Sequence, residues 1–463
     1  MRLTMNRPDF EGKDVGLGSI LAHVKRIALI VATLFASAIA YASDSTPLHE
    51  ALQKLALDGR FSGAVVIRDA GGVRFARGYG LADPFSARPF TPETPVDSAS
   101  LAKPVTAAVV LQLARAGKLD LDAPVRRYLG GYPQESATVR QLLAHSAGML
   151  LEDTVEPLDG KTNEMIMKEI ADQHLPPMFA PGTEFAYCNT CYSTLALLTE
   201  KVTGVPHLTL AQDLVALPGD VTIRPLRLAD WQGRAIGYRR AGGERIERAD
   251  SYESEAFYGS GNLSISAAQL ALWGSEWWQP RLAVIRTIAT TPAQISGKTS
   301  GLTWGNWYCA TDGQRCHYLG HHEGFHHMLY WDAKLRISVA MVSNNTLAPA
   351  LQQRLQRALV AFATGDFRTG ERELGMVLPD APVQDGRYLL AGREAVVVSS
   401  DADRVWIERR GLRYRAFRAG AVGTGIRYVP GLDVYLAGSP DGHLHWLSLY
   451  EDFEAPRTQA RPR

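Results

Sequence analysis

Strand-like segments near both ends of the first three quarters of this chain constrain its fold more than any other feature. Apolar-rich runs at Gly63–Arg68 and Val73–Tyr79 form a predicted hairpin, and another such run lies at Leu335–Val342. Between them the apolar residues follow helical spacing, most regularly over Val105–Ala116. This order predicts an α+β fold, in which an antiparallel sheet packs with helices and an all-helical region is added.

The composition changes near Gly365–Pro379. Beyond it, short β-rich runs such as Val405–Ile407 and Leu412–Phe417 are separated by turn residues. This pattern predicts a small all-β C-terminal domain, a β-barrel or β-sandwich. We therefore expect a main domain over residues 43–366 and a β domain over residues 376–463.

The N-terminal segment has the order of a secretory signal peptide. Two basic residues, Lys25 and Arg26, precede the apolar run Ile27–Ile39 and an A-x-A site that ends at Ala42. We interpret residues 1–42 as an N-terminal extension and signal peptide, and we expect a periplasmic or secreted protein. A retained, uncleaved N-terminal anchor is the alternative.

Export permits disulfides among the four cysteines, which allow three pairings. Cys309 and Cys316 flank a turn signal between two strand-like stretches, so a bridge across a hairpin is geometrically reasonable. Cys188 and Cys191 would then pair with each other. Their C-x-x-C spacing also fits a redox-active or metal-binding pair, and the pairing stays open at this point.

The charge distribution argues against a nucleic-acid partner. The formal net charge is +1, and basic and acidic residues are interleaved along the chain. A nucleic-acid-binding protein presents a clustered basic face. The nearest candidate, Arg404–Arg418, alternates arginines with apolar residues, which is typical of a strand with one solvated face.

Ser100 and Lys103 form an S-x-x-K motif at the start of a predicted helix. The unpaired backbone amides at a helix N-terminus favour developing negative charge, and a lysine three residues further on lies on the same helical face. Together they predict an activated serine nucleophile. The alternative is that Ser100 caps the helix and Lys103 faces solvent.

Tyr187 and Asn189 lie in a predicted loop just before another apolar helix. A tyrosine hydroxyl near a lysine ammonium can pass a proton to a leaving group, because the positive charge favours the phenolate. An asparagine offers both a donor and an acceptor to a substrate amide. The alternative is that Asn189 caps the following helix and Tyr187 fills the core.

A third motif, His322-Glu323-Gly324, precedes Phe325. At a strand edge, Gly324 would let a backbone N–H approach a developing oxyanion, and His322 would supply a polar or cationic group. The same segment also satisfies H-E-x-x-H up to His326, which binds zinc only on a helix. Gly324 disfavours a helix, so we expect no metal and no cofactor.

Several ordered segments resemble the serine β-lactamase-like superfamily, which includes class C β-lactamases, D-alanyl-D-alanine carboxypeptidases (penicillin-binding proteins) and related esterases. The similar segments are Ser100–Leu129, Leu142–Gly148, Pro181–Tyr192 and Tyr258–Leu270, within a match that runs through most of Phe61–Asn345. The resemblance implies a β-lactamase/transpeptidase-like fold and a substrate that is a small molecule or peptide-like, with a possible association with the cell wall.

The resemblance also implies roles for individual residues. Ser100 would be acylated, Lys103 and Tyr187 would transfer protons, and water would hydrolyse the acyl-enzyme. Asn189 would bind the substrate, and the backbone N–H groups of Ser100 and Phe325 would form the oxyanion hole.

The sequence departs from the family pattern at two positions. Cys188 replaces a serine, and Glu323 replaces a hydroxyl residue that helps to bind a substrate carboxylate. A carboxylate there would repel an anionic substrate. The segment after Gly324 is also shortened, so His321 instead of His322 could be the equivalent histidine.

We therefore expect an esterase-like serine hydrolase. The alternatives are a D-alanyl-D-alanine carboxypeptidase, penicillin-binding or β-lactamase activity, or a catalytically silent peptidoglycan- or ligand-binding module. The oligomeric state stays open.

Overall fold

A computed structural model of the chain describes residues 46–458. Within that range, the residues outside the description are 132–133, 135, 151–154, 156–159, 226, 242–244, 251–256, 323, 348, 375–380, 391–393, 402–403, 419–424, 426, 430–431, 433 and 448–451. The predicted signal peptide, the alternative anchor and Glu323 therefore lie outside the described residues. None of the helices within the described range combines the length and the apolar character that a membrane span requires.

Helices occupy much of the chain before residue 375. They are α1 (Thr46–Leu57), α2 (Ala102–Arg115), α3 (Val139–Leu143), α4 (Asn163–Asp172), α5 (Asn189–Thr203), α6 (His207–Val215), α7 (Ala267–Glu276), α8 (Ala283–Ala289), α9 (Pro349–Thr364) and α10 (Phe367–Leu374). The predicted helix at Val105–Ala116 is α2, which begins three residues earlier than its apolar spacing indicated.

The strands before α9 are β1 (Gly63–Asp69), β2 (Gly72–Tyr79), β3 (Leu81–Asp83), β4 (Arg88–Pro89), β5 (Val96–Asp97), β6 (Thr222–Ile223), β7 (Tyr238–Ala241), β8 (Arg245–Arg248), β9 (Leu263–Ile265), β10 (Pro292–Ile295), β11 (Lys298–Thr303), β12 (Tyr308–Cys309), β13 (Arg315–His322), β14 (Phe325–Asp332) and β15 (Ile337–Ser343). Six of them form one antiparallel sheet in the order β12-β13-β14-β15-β1-β2. The strands from the two ends of this part of the chain are therefore neighbours, as predicted.

Helices cover both faces of this sheet. On β1, Ala64 and Val66 belong to the hydrophobic cluster that includes α2, α5 and α7, whereas Val65 and Ile67 belong to the cluster that includes α1 and α9. Successive residues of a strand point to opposite faces, so β1 lies between two helical layers. Every residue of β14 and β15 is buried, including the polar His326, His327 and Asp332 of β14.

The strand predicted from Leu335 begins instead at Ile337. The carboxylate of Asp332 accepts a hydrogen bond from the Leu335 N–H at 2.7 Å, and Arg336 has a φ of 55°. These features form a turn, and an aspartate that binds the backbone a few residues further on is typical of one.

The predicted all-β C-terminal region is present. Its strands are β16 (Gly386–Leu390), β17 (Glu394–Asp401), β18 (Arg404–Arg409), β19 (Leu412–Arg418), β20 (Arg427–Val429), β21 (Val434–Gly438), β22 (Leu444–Leu447), β23 (Asp452–Ala455) and β24 (Arg457–Thr458). They form one antiparallel sheet around a core that contains Ile407, Leu436 and Trp446. The domain boundary between residues 43–366 and 376–463 stays a prediction.

The β region is packed against the α+β part of the chain. Tyr435 and Ala437 of β21 belong to the same hydrophobic cluster as Leu351 and Leu355 of α9. Burial of such apolar side chains is favourable, so this contact stabilises both parts.

Candidate active site

Ser100 lies in a single 3-10 turn, Ala99–Leu101, that leads directly into α2. The Asp97 side chain accepts a hydrogen bond from the Ala99 N–H at 2.9 Å, and Ala99 has a φ of 47°, which is uncommon for a residue other than glycine. The first residue before α2 is Leu101, and no side chain caps the helix there. The alternative interpretation of Ser100 as a helix cap is therefore wrong.

Lys103 is fully buried and holds three groups together. Its Nζ donates to the Asn189 Oδ1 at 2.7 Å and to the Ser260 backbone oxygen at 2.9 Å, and it lies 3.2 Å from the Ser100 Oγ. The alternative that Lys103 faces solvent is wrong. Three acceptors around one buried ammonium fix its position beside the serine.

Tyr187 reaches the same serine from the segment before α5. Its hydroxyl donates to the Ser100 Oγ at 2.8 Å, and the Lys103 Nζ lies 4.8 Å from the centre of its ring. The residue is 40% exposed, so the alternative that it fills the core is wrong. The predicted cap at Asn189 is also wrong, because Cys188 occupies the cap position of α5.

A hydrogen-bond relay through His145, Asn306 and Tyr318 supports Tyr187. The Cys188 N–H donates to the His145 Nδ1 at 3.0 Å, which leaves the proton of the neutral ring on Nε2, 3.1 Å from the Asn306 Oδ1. The Asn306 Nδ2 donates to the Tyr318 hydroxyl at 2.8 Å, and this hydroxyl lies 3.3 Å from that of Tyr187. The relay therefore directs the Tyr318 proton toward Tyr187.

The electrostatics of the relay agree with this direction. Burial raises the pKa of the Tyr187 hydroxyl, but the positive charge of Lys103 and the surrounding hydrogen bonds bring that pKa below its ordinary value. Burial and then the charge of a Tyr187 phenolate raise the pKa of Tyr318 well above its ordinary value, so Tyr318 keeps its proton. Burial and the Lys103 charge lower the pKa of His145 to about 3, so its ring is neutral.

Strand β13 approaches the nucleophile turn at a different point from the one predicted. A Cβ added to Gly320 would lie 2.8 Å from the Ser98 backbone oxygen and 3.4 Å from the Ala99 Cβ, so only glycine fits there without displacement. Tyr318 and Gly320 therefore lie beside the nucleophile turn. His322 pairs with Phe325 at the end of the β13–β14 hairpin.

The pairing of His322 with Phe325 argues against the predicted oxyanion donor. Only two residues separate them, and the residues that flank a two-residue hairpin turn bond to each other. The Phe325 N–H is then directed to β13. Gly324 has a φ of 75° and packs against the backbone of Tyr238, where an added Cβ would lie 2.5 Å from its nitrogen, so its absence of a side chain serves packing.

The H-E-x-x-H segment is not helical. His322 ends β13 and His326 lies in β14, so the two rings do not share a helical face as the zinc motif requires. The His326 ring lies 4.2 Å from that of His321 and contacts the Gln352 Oε1 at 3.1 Å. Burial and the charge of His321 lower the pKa of His326 to about 4.

Both cysteine pairs are disulfides. Cys309 bonds to Cys316 across β12 and β13, and Cys188 bonds to Cys191 in the first turn of α5, which confirms the pairing that the hairpin favoured. In the Cys188–Cys191 bridge, Cys188 stands between the motif residues Tyr187 and Asn189, and Cys191 follows Asn189 by two residues. Both cysteines are buried.

Sequence reasoning missed three residues of the relay, which are His145, Asn306 and Tyr318. His145 lies within Leu142–Gly148, one of the segments that resemble the superfamily, and this was a usable signal. Asn306 and Tyr318 carry no local motif. Their contact with Tyr187 depends on how β13 is positioned over the helices.

A cleft of about 590 Å³ borders the relay. Its lining includes Phe185, whose ring lies 5.7 Å from that of His145, and Tyr308, which stacks on Tyr318 at 6.0 Å. Residues of β10 and β11 form the other wall, including Leu302. The volume is typical of a small-molecule site.

Comparison with known proteins identifies the family of this chain. The family model described as Beta-lactamase matches residues 49–362, which is well over half of the chain. The chain belongs to the beta-lactamase family. It is 28% identical over 166 residues to penicillin-binding protein 4* of Bacillus subtilis, which covers 34% of this chain and 36% of that protein. It is 32% identical over 196 residues to esterase EstB of Burkholderia gladioli, which covers 37% and 50%.

These matches span only about a third to a half of the length of the curated relatives. The octameric penicillin-binding protein homologue from Pyrococcus abyssi has a similar structure over 88% of this chain and 99% of its own, with a TM-score of 0.58 and 19% identity. This likeness shows the fold alone. The predicted β-lactamase/transpeptidase-like α+β fold is thereby confirmed.

Proposed function

We propose that this protein is a serine hydrolase that acts on an ester or amide bond through an acyl-enzyme at Ser100. The observation that carries the proposal is the position of the Ser100 Oγ, 2.8 Å from the Tyr187 hydroxyl and 3.2 Å from the Lys103 Nζ. A nucleophile within hydrogen-bond distance of a base, with the base oriented by further groups, is the arrangement that nucleophilic catalysis needs. Similarity to both an esterase and a penicillin-binding protein supports the class of reaction.

In the acylation step, the Tyr187 phenolate accepts the Ser100 proton while Oγ attacks the substrate carbonyl carbon. The lowered pKa of Tyr187 makes the phenolate accessible, and Lys103 stabilises its charge. The negative charge that develops on the carbonyl oxygen is met by the backbone N–H of Ser100 and by an N–H at the edge of β13 near Gly320. When the tetrahedral intermediate collapses, Tyr187 donates its proton to the leaving group.

Hydrolysis of the acyl-enzyme reverses these roles. Water attacks the acyl carbon and gives a proton to Tyr187, which returns it to the Ser100 Oγ as the acid product departs. Asn189 holds Lys103 and contacts the substrate amide or ester from the side of α5. No step needs a metal or a cofactor.

The substrate is a neutral ester or amide. The cleft beside the relay presents Phe185, Leu302 and Tyr308, and its charged lining residues are one lysine and one glutamate, Lys298 and Glu184. Such a lining favours an acyl or alcohol group without a net charge. The identity of the substrate within this class is to be found with a panel of short-chain esters, a cephalosporin and D-alanyl-D-alanine peptides.

The first test is covalent labelling with a fluorophosphonate. Ser100→Ala should abolish labelling and ester hydrolysis, and Lys103→Ala should reduce both nearly as strongly, because residues that act as one unit are not additive. Ser400→Ala is the matched control, since this serine lies in the C-terminal β region and its hydroxyl bonds to Asp385. Circular dichroism checks that each variant is folded.

Two results would contradict the proposal. Labelling that persists in a folded Ser100→Ala protein would move the nucleophile elsewhere. A wild-type protein that binds substrates and penicillins without turnover or labelling would be a silent binding module.

The second test concerns substrate charge and Glu323, and it rests on the sequence. His322 ends β13 two residues beyond Gly320, which lies beside the nucleophile turn. A carboxylate next to His322 would repel a substrate carboxylate that extends along β13, so wild-type protein should hydrolyse neutral esters faster than penicillins. Glu323→Thr should shift relative kcat/KM toward penicillins by about 1–3 kcal/mol, the size of one recovered contact to a charged group. Glu323→Gln separates the loss of charge from the gain of a hydroxyl. Efficient penicillin hydrolysis by the wild type would support the β-lactamase alternative instead.

We also propose that the protein is exported. Two disulfides fit an oxidising compartment, and the apolar run at Ile27–Ile39 fits a signal peptide. Cell fractionation and N-terminal sequencing of the mature protein would test this, with cleavage after Ala42 expected. The same fractions would show whether the protein is associated with the cell wall.

A further inference from the structure

A second cavity, of about 530 Å³, contains none of the proposed catalytic residues. Its lining comes from three places in the chain. These are β3–β4, the segment around Trp231 that precedes β7, and the end of β8. Three arginines, Arg88, Arg234 and Arg248, contribute to the lining.

Arg234 is buried and incompletely paired. Only 3% of the residue is exposed. Its Nη1 pairs with Asp250 and donates to the Ala235 backbone oxygen at 3.0 Å. Its Nη2 is buried and has no acceptor among the residues that the structure describes. A buried charged donor without an acceptor is unfavourable, so the Arg234 guanidinium that lines this cavity is incompletely satisfied.

The charges around the cavity do not balance. Asp250 is shared, because its carboxylate also accepts from the Arg248 Nε at 3.1 Å. The Asp83 carboxylate accepts hydrogen bonds from the N–H groups of Phe85 and Ser86. Among the described lining residues, three guanidinium groups therefore face two carboxylates, which is an excess of one positive charge. An anion with a single negative charge would neutralise it.

The rest of the lining is apolar. Leu228, Ile236 and Trp231 contribute to the wall, and the Trp231 ring lies 5.4 Å from the Arg234 guanidinium carbon. The Trp231 Nε1 donates to the Ser264 Oγ at 2.8 Å, which fixes the ring in place. The cavity thus combines a cationic group with a rigid apolar surface.

We propose that this cavity binds a small organic monocarboxylate. The carboxylate is held by the guanidinium groups of Arg248 and Arg234, and the apolar body of the ligand lies against Trp231 and Leu228. A planar fork of N–H donors matches a carboxylate. Inorganic phosphate would leave the apolar wall uncovered and would bring more than one negative charge. The site is separate from the serine chemistry, and the inference does not depend on it.

Isothermal titration of the full chain with benzoate tests the site, with benzamide as the neutral isostere. Arg248→Gln removes one cationic group from a side chain that is 47% exposed, so the fold should be retained. Arg239→Gln is the matched control, because this arginine is 63% exposed on the neighbouring β7, pairs with Glu247 and does not line the cavity. We expect benzoate to bind wild type and Arg239→Gln alike, Arg248→Gln to bind it at least tenfold more weakly, and benzamide not to bind.

Arg234→Gln provides a second variant. If it is folded by circular dichroism, it should lose benzoate binding, and if it is unfolded the result for Arg248→Gln decides. The proposal is overturned if wild type does not bind benzoate, or if benzamide or inorganic phosphate binds as tightly as benzoate. It is equally overturned if Arg248→Gln keeps wild-type affinity, which would place the benzoate elsewhere, including at Ser100.

Discussion

At the scale of single residues, the site separates into groups that a local pattern reveals and groups that only the folded chain brings together. Ser100 and Lys103 are three residues apart at the start of α2, and Tyr187 and Asn189 lie on either side of Cys188 at the start of α5, so short spacings within each motif were enough to single them out. No local pattern predicted a role for Tyr318, because its contact with Tyr187 depends on the position of β13 beside the nucleophile turn.

Tyr318 gives the sharpest prediction at this scale. Its hydroxyl lowers the pKa of Tyr187, so Tyr318→Phe should raise that pKa and move the acidic limb of the kcat/KM profile to higher pH. One lost hydrogen bond is worth about 0.5–1.5 kcal/mol, which corresponds to a shift of up to about one pH unit.

The pH profile of purified Tyr318→Phe checks this shift. Tyr330→Phe is the control, because Tyr330 lies on the neighbouring strand β14 and its hydroxyl donates to Asp332. A profile for Tyr318→Phe that only falls in height, without moving along the pH axis, would give Tyr318 a structural role alone.

At the scale of elements, β14 connects the sheet to the nucleophile turn through His327. The His327 Nε2 donates to the Asp97 backbone oxygen at 2.7 Å, and its Nδ1 accepts from the Ser343 N–H on β15 at 3.3 Å. The sequence predicts neither contact, because it gives no reason to distinguish His327 from the adjacent His326. The two histidines have different surroundings because β14 places successive side chains on opposite faces.

His327 should make the fold sensitive to acid. Burial lowers its pKa to about 4 from an ordinary 6.5, so the unfolded chain binds the proton more readily. The free energy of unfolding should therefore fall as the pH falls from about 6.5 to about 4, by about 3 kcal/mol from this residue.

Urea unfolding of His327→Gln at several pH values measures this contribution. The variant should be less stable near neutral pH and should lose less stability in acid than wild type. His174→Gln, at an exposed position, is the control. An acid dependence of His327→Gln equal to that of wild type would show that other groups, such as His145 or His326, dominate.

At the scale of the whole molecule, the sequence predicted an α+β part followed by an all-β part but not how the β region is attached. Strand positions and the change in composition were sufficient for the α+β part and the all-β part. Tyr435 and Ala437 share a hydrophobic cluster with Leu351 and Leu355 of α9, about eighty residues earlier in the chain, and neither segment has a periodicity that predicts this.

This packing predicts the effect of removing the β region. A chain that ends after Leu374 would lack Tyr435 and Ala437 from the hydrophobic cluster that includes α9, so we expect it to unfold several degrees lower while keeping the proposed ester hydrolysis. Differential scanning calorimetry and an ester assay measure the two effects. Loss of all folded structure would show that residues 43–366 are not a domain in their own right.

The neighbouring positions of β1 and β15 have a consequence for the order of events during synthesis. Gly63 pairs with Ser343, so the central sheet joins segments 280 residues apart. Closure of so long a loop is slow, and β1 has no partner on that side until β15 has left the ribosome. Nearly three quarters of the chain must therefore be made before the sheet can close, so β1 waits unpaired on that side through most of synthesis.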